Sequence, residues 1–395
     1  MRIILSPTKQ MKREEELHFS LTEPVFIEKT KVLREYLKEY ITESHDIPGP
    51  RDILFEDEDK IVYIPEHGYI FFNSTASNSI TRGTLVTDMK RDFGVLGYKW
   101  DFENTNDIWT TVEKAAKPIV FTEDGRAEYP LHVTYGNNLY SYNNIVEWEA
   151  GKKYAFFGYY PYGNNAIVVS GKNVEGTPFI EYTLPNTSNA MLDVMTAADF
   201  NTDYTMVQNG EVVLEFKHRL SAIDLKMLNL NDPYNGKPVY VQISNMKISF
   251  TNLKYNKIKL YLDEAKANEP SVVGTVVQNY TLFQSDKRIA PATTDAAYVT
   301  SGNPLIVIPQ NKDNSGGLMG TLTFNLKYVD ANGNTLNITD ADIQPGDKSV
   351  VFNFDRDIRP RRKNTIQLSF TRDAITIDIL PDGDWVEHKS IIEFE

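Results

Sequence analysis

At 395 residues and 41% hydrophobic content, the chain exceeds the size at which one core stops growing, about 250–300 residues, so two core-bearing units are expected. A formal net charge of −13 opposes broad binding to nucleic acid or to an anionic membrane, because phosphate contacts need basic residues that the whole-molecule field disfavours. The absence of cysteine excludes disulfides, thiolate catalysis and zinc–thiolate sites together.

The opening "MRIILSPTKQ" predicts a short strand ended by Pro7. Its apolar run is far shorter than the roughly 7–15 residues of a secretory signal core, so no export signal is read from it. The spacing then predicts a helix with Thr22 as N-cap and Pro24 in its first turn, since Phe26, Thr30, Leu33, Leu37 and Ile41 share one face. "HDIPGPRD" breaks that pattern, and residues 46–54 read as a linker. On "MRIILSPTK" and "EPVFIEKTKVLREYLK", residues 1–45 resemble the opening of the YaaA peroxide-stress family, whose members are cytosolic. Only about the first 40 residues carry that likeness, so the segment is read as a fused fragment and brings no activity with it.

From about Phe55 the period changes from helical to two. "IVYIPEHGYIFF" predicts one or two strands interrupted at Pro65 and Gly68, and "NSTASNSITRG" reads as a polar tether. "DFGVLGYKW" and "KPIVFTEDGRAEY" are further strands, the second turning at Asp124 and Gly125. In "YAFFGYYP" both alternating sets are apolar, which predicts a strand covered on both faces. Val212, Leu214, Phe216, His218 and Leu220 then alternate with Glu215, Lys217 and Arg219, the pattern of a half-buried antiparallel strand. Ile223, Leu225 and Met227 have the opposite parity, so a bulge or bend is expected near Ser221. A second parity change separates Val239, Val241 and Ile243 from Met246, Ile248 and Phe250. Four more alternating runs follow, led by Leu322, Val350, Ile366 and Ile375, with turn signals between them. Many short strands at this spacing predict an all-β chain of antiparallel β-sandwiches, preceded by the short strand–helix segment.

Chemical signatures are sparse. The six histidines, at 18, 45, 67, 132, 218 and 388, include no pair at metal-binding spacing, and no nucleophile elbow or phosphate loop is present. No catalytic residue, cofactor or metal is therefore assigned. His218 reads as a hydrogen-bonded core residue. "DANGNTLNITDAD" is a hairpin turn or a loop of calcium-type oxygen ligands, without the spaced glutamate of an EF-hand. Arg356, Arg359, Arg361, Arg362 and Lys363 gather around Pro360 as a solvated strand connection or a polyanion contact.

In order along residues 55–395, "TRGTLV", "FGVLGYKW", "YAFFGYYP", "MLDVMTAAD", "VVLEFKHRLSAIDLK" and "LIVIPQ" resemble the fimbrillin and fimbrillin-like proteins of Bacteroidetes. That resemblance implies two tandem transthyretin-like β-sandwich domains, here 55–205 and 206–395, and a pilus subunit or surface adhesin that is not an enzyme. It implies a cell-surface or outer-membrane location, although this sequence shows neither a signal peptide nor a lipid-bearing cysteine. It further implies cutting by an arginine-specific protease between Arg82 and Gly83, with loss of a strand carrying Ile61, Tyr63, Tyr69 and Phe71. A vacated strand position exposes unpaired backbone groups beside an apolar groove, which another subunit, or a second copy, fills. The candidate donor is the tail, where Val386, Ile392 and Phe394 share parity, although the same residues also suit an ordinary last strand. The alternative reading is a non-polymerising adhesin for host glycans or proteins, with Tyr159, Tyr160 and Tyr162 as its aromatic contacts; a third is a cytosolic YaaA-like peroxide-stress protein. No nucleic-acid partner is expected.

Overall fold

The computed structural model describes residues 52–57, 60–64, 70–76, 89–102, 107–122, 128–136, 139–143, 146–203, 205–206, 211–292, 297–298, 304–312 and 317–384. The helix expected in the first 45 residues and the turn at Asp124 and Gly125 lie outside them. What is described is almost entirely β-structure, as the alternation predicts.

β1 (Asp52–Asp57) and β2 (Lys60–Ile64) form an antiparallel pair of their own. The next sheet has seven strands: β3 (Phe71–Ala76), β4 (Phe93–Asp101), β5 (Leu131–Gly136), β6 (Leu139–Ser141), β7 (Lys152–Tyr160), β10 (Met195–Thr202) and β11 (Glu211–His218). Their order is β3-β11-β10-β7-β4-β5-β6, and β3 lies parallel to β11 while all other neighbours are antiparallel. The sheet curls until β3 approaches β6, wrapping a core of Phe93, Val95, Phe156, Val212, Leu214 and Phe216. β7 runs through its middle, and the expectation for "YAFFGYYP" holds. Tyr154 and Phe156 point into this core, while Ala155, Phe157 and Tyr159 face a second, larger one.

That larger core is shared by two five-stranded sheets. One contains β12 (Ser221–Asn229), β18 (Ala297–Tyr298), β19 (Leu305–Val307), β22 (Arg362–Phe370) and β23 (Ile375–Asp384), with β12 and β22 parallel. The other contains β13 (Tyr240–Phe250), β16 (Asn279–Phe283), β17 (Lys287–Ile289), β20 (Met319–Val329) and β21 (Gly346–Asn353). Alternation in β20 buries Leu322, Phe324, Leu326 and Tyr328, and Phe324 meets Phe370 of β22 edge to face across the core.

The two parity changes have different causes. Within β13 the register against β20 slips between Ser244 and Lys247, where Asn245 adopts a left-handed φ of 53°, so a bulge restores the buried face. At Ser221, by contrast, the chain changes sheets. β11 ends at His218, and β12 starts a new ladder after only Arg219 and Leu220. Arg219 was expected on the solvent face of the strand; it is instead 3% exposed, because the strand has ended and the chain is crossing the interior.

A fourth sheet joins the early and late parts of the chain. β8 (Ile167–Val169) and β9 (Phe179–Thr183) continue into β14 (Lys257–Tyr261) and β15 (Glu269–Ser271), with β9 and β14 antiparallel at its centre. Two sequence units divided at 205/206 therefore share strands: β11 pairs with β10, and β14 with β9.

Arg219 sits at this junction. Its guanidinium donates to Thr196 Oγ1 at 2.6 Å, the Tyr261 carbonyl at 2.9 Å and Asn268 Oδ1 at 2.7 Å, tying β10 to the ends of β14 and β15. Burial, aided by the neighbouring Arg361 charge, lowers its pKa to about 10. Arg361 donates its backbone N–H to the Leu220 carbonyl at 2.8 Å and its side chain to Glu264, which also pairs with Lys217 at 2.6 Å. Lys363 pairs with the buried Asp224 at 2.7 Å, and Arg356 donates to the Leu380 carbonyl at 2.8 Å. The basic cluster around Pro360 is thus mostly committed to internal partners rather than being a solvated connection. Arg359 is its exposed member.

Candidate functional site

The feature with most chemical consequence is the seam where the seven-stranded sheet closes. β3 is an edge strand held by a six-residue parallel ladder, Phe71 against Glu211 through Ala76 against Phe216. Behind that ladder β11 turns Val212, Leu214 and Phe216 inward at 0% exposure, while Val213 on its outer face is 52% exposed. The alternation that makes β11 half-buried thus places an apolar wall directly beside an edge ladder. Small residues make that wall possible. A Cβ on Gly158 of β7 would stand 2.7 Å from Phe216 Cζ and 3.2 Å from Leu214 Cδ1.

The chain entering β3 is fastened separately. Ile70 is fully buried; its N–H donates to the Val146 carbonyl at 2.8 Å, and its carbonyl accepts from Tyr142 Oη at 2.7 Å. Val146 N–H in turn donates to Tyr142 Oη at 3.3 Å. Two residues before Tyr142, Tyr140 of β6 donates its hydroxyl to the carbonyl of Met89, which is 1% exposed.

The residues singled out from sequence are distributed unevenly over this geometry. Phe71 opens β3, whereas Ile61 and Tyr63 lie in β2, whose only partner among the described strands is β1. Tyr69, Arg82, Gly83, Val386, Ile392 and Phe394 lie outside the described residues. Of the aromatic trio, Tyr159 is 2% exposed and belongs to the core, so it cannot offer its ring to a ligand. Tyr160 and Tyr162 are half-buried, and Tyr162 stacks on His132 at 4.0 Å with the rings 6° from parallel. His132 also bonds Asp92 at 3.0 Å. Burial raises the pKa of both tyrosines; the nearby Glu128 carboxylate adds to the effect at Tyr162.

Two further expectations can be placed. His218 is buried and hydrogen-bonded through Nδ1 to Asp193 Oδ1 at 2.7 Å, the core role read from its strand face. In "DANGN", Asp330 Oδ1 accepts the backbone N–H groups of Asn332 and Asn334, both at 2.9 Å, and Asp330 N–H donates to the Asn334 carbonyl, so the carboxylate organises a hairpin turn. Sequence reasoning missed Tyr140, Tyr142 and Ile70. Their one sequence signal is the i, i+2 spacing of the two tyrosines, which puts both hydroxyls on one side of an extended segment.

The family model described as fimbrillin-like matches residues 97–377. No curated protein matches the chain. Among solved structures, a fimbrial protein from Bacteroides vulgatus is 18% identical with a TM-score of 0.59, the match covering 80% of this chain and 99% of that one. A fimbrilin from Porphyromonas gingivalis is 11% identical with a TM-score of 0.36, covering 78% of this chain and 90% of that one.

Proposed function

The chain belongs to the fimbrillin-like family, and from that premise we propose that it is a structural pilus or adhesin subunit of the cell surface that assembles by β-strand exchange. In this reading an arginine-specific protease cuts between Arg82 and Gly83, β3 departs, and a strand from another subunit takes its place against β11. The tail around Val386, Ile392 and Phe394 is the proposed donor.

The observation that carries the reading is the edge position of β3 beside the wall of Val212, Leu214 and Phe216. Its removal would leave the outward-facing N–H and C=O groups of β11 unpaired next to apolar surface, a template for a new strand. β3 suits this role better than β2, which among the described residues pairs with β1 and not with the seven-stranded sheet.

Sedimentation velocity after digestion with an arginine-specific protease tests it. The cut protein is expected to form larger species, and an excess of a peptide spanning residues 70–76 is expected to suppress them. A cut product that sediments as a monomer at every concentration overturns the proposal.

The half-buried stack of Tyr162 on His132 favours one alternative, a non-polymerising adhesin that meets glycans through this pair of rings. It is expected to show glycan binding that Tyr162→Ala abolishes in the uncut protein; no binding by the parent protein rejects it.

A further inference from the structure

Cutting a chain does not by itself release a strand. After a cut at Arg82, β3 would still be paired with β11 over six residues, and Ile70 would still be buried with both backbone groups engaged. Tyr142 Oη donates to the Ile70 carbonyl and accepts from Val146 N–H, while Val146 accepts from Ile70 N–H, so three hydrogen bonds close a ring around the entrance of β3. A buried carbonyl that loses its donor keeps its desolvation cost, which makes this ring expensive to open.

The same stretch of chain also holds the other side of the cut. Tyr140 fastens the carbonyl of Met89, and its ring lies 5.4 Å from that of Phe93 on β4. Met89 belongs to the part that stays after cleavage, and Ile70 to the part that leaves. Two tyrosines at i and i+2 therefore grip the two sides of the cleavage segment with opposite consequences.

We propose that Tyr142 is the latch of the exchange site: its hydroxyl, by holding the Ile70 carbonyl, sets how fast β3 leaves, while Tyr140 keeps the Met89 end seated. Cleavage and opening are then separate steps, and a cut subunit stays closed until the latch yields. This inference rests on the strand-exchange reading above.

Tyr142→Phe tests it, because the ring and its edge contact with Phe121 at 6.1 Å remain and only the hydroxyl is lost. In the uncut protein, hydrogen exchange at the β3 amides is expected to quicken roughly 3- to 30-fold, the worth of one buried hydrogen bond, with β4 and β7 amides unchanged. After cleavage, residues 1–82 are expected to dissociate faster by the same factor. Tyr140→Phe should leave both rates as in the parent. Unchanged β3 exchange and fragment release in folded Tyr142→Phe overturn the latch, even where oligomers still form and strand exchange stands. Accelerated release of a fragment whose remainder stays monomeric keeps the latch and overturns strand exchange. Equal acceleration at every amide also overturns the latch, since it marks a general loss of stability.

Discussion

Two ladders of similar length stand in different surroundings in this molecule. β3 pairs with β11 over six residues at the seam, and β9 pairs with β14 over five at the junction between early and late sheets. Backbone pairing alone would rank them as equals, but their flanks differ. β9 and β14 each have a second strand on the far side and a buried arginine bonded across the end of the sheet. Among the described residues β3 has one ladder, on one side, and a ring of hydrogen bonds at its entrance. How firmly a strand is held depends on what surrounds its ladder, because each backbone hydrogen bond contributes little net free energy until its loss strands a buried partner.

The largest effect is expected at the β9–β14 junction. Arg219→Ala leaves the Tyr261 carbonyl, Thr196 and Asn268 without a buried donor and opens a void, and should lower stability by roughly 3–5 kcal/mol. Urea unfolding reads this directly. Arg219→Met keeps the aliphatic stem and removes the desolvated charge, so it should recover part of the loss. A deficit under about 1 kcal/mol in Arg219→Ala would mean the ladder holds the junction unaided, and the contrast with the seam would vanish.

A smaller and more local effect is expected at Gly158. The added methyl of Gly158→Ala pushes against Phe216 and Leu214, the inward side chains of β11, and overpacking of this kind costs about 1–3 kcal/mol. Because β11 carries β3, exchange at β3 amides should quicken more than exchange in β9 and β14. Equal acceleration in both places would show that the seam and the junction are mechanically one.

How much of this contrast is legible in the sequence follows from what kind of interaction makes it. The two-faced cover of β7 and the bulge in β13 are local consequences of alternation, and both are readable from "YAFFGYYP" and from the parity change after Ile243. The family could be reached from ordered motifs, and the match over residues 97–377 agrees with it. Which distant strands pair is not local. The parallel ladders β3–β11 and β12–β22, and the mixed ancestry of the sheet around β9 and β14, depend on the packing of the whole chain. Arg219 misled for the same reason: a charged residue in polar alternation looks solvated unless the strand is known to end one residue earlier. Tyr159 misled because its strand end is covered by the larger core.

The smallest expected effect lies at a second brace of the junction and sharpens the contrast through pH. Glu113, just after the helical turn Trp109–Val112, accepts from Lys266 Nζ at 2.8 Å and from Thr177 Oγ1 at 2.7 Å, linking the region after β4 to the β14–β15 connection. Burial acts to raise its pKa, but the hydrogen bonds from Lys266 and Thr177, with the Lys266 charge, outweigh that and hold it below the ordinary 4.5. A carboxyl with a lowered folded-state pKa binds fewer protons folded than unfolded. Its contribution is therefore complete above pH 4.5 and is lost as pH falls through the folded value. Glu113→Gln should cost no more than about 1 kcal/mol at neutral pH, and the variant should lose less stability than the parent between neutral pH and the acid limb. By contrast, the hydrogen bonds that join Ile70, Tyr142 and Val146 are between neutral groups. Mild acid should consequently quicken exchange at the β9–β14 ladder more than at β3, narrowing the difference between the two. Hydrogen exchange at both ladders on either side of pH 4.5 reads this difference; a common shift at the two sites would assign the acid response to the chain as a whole and not to Glu113.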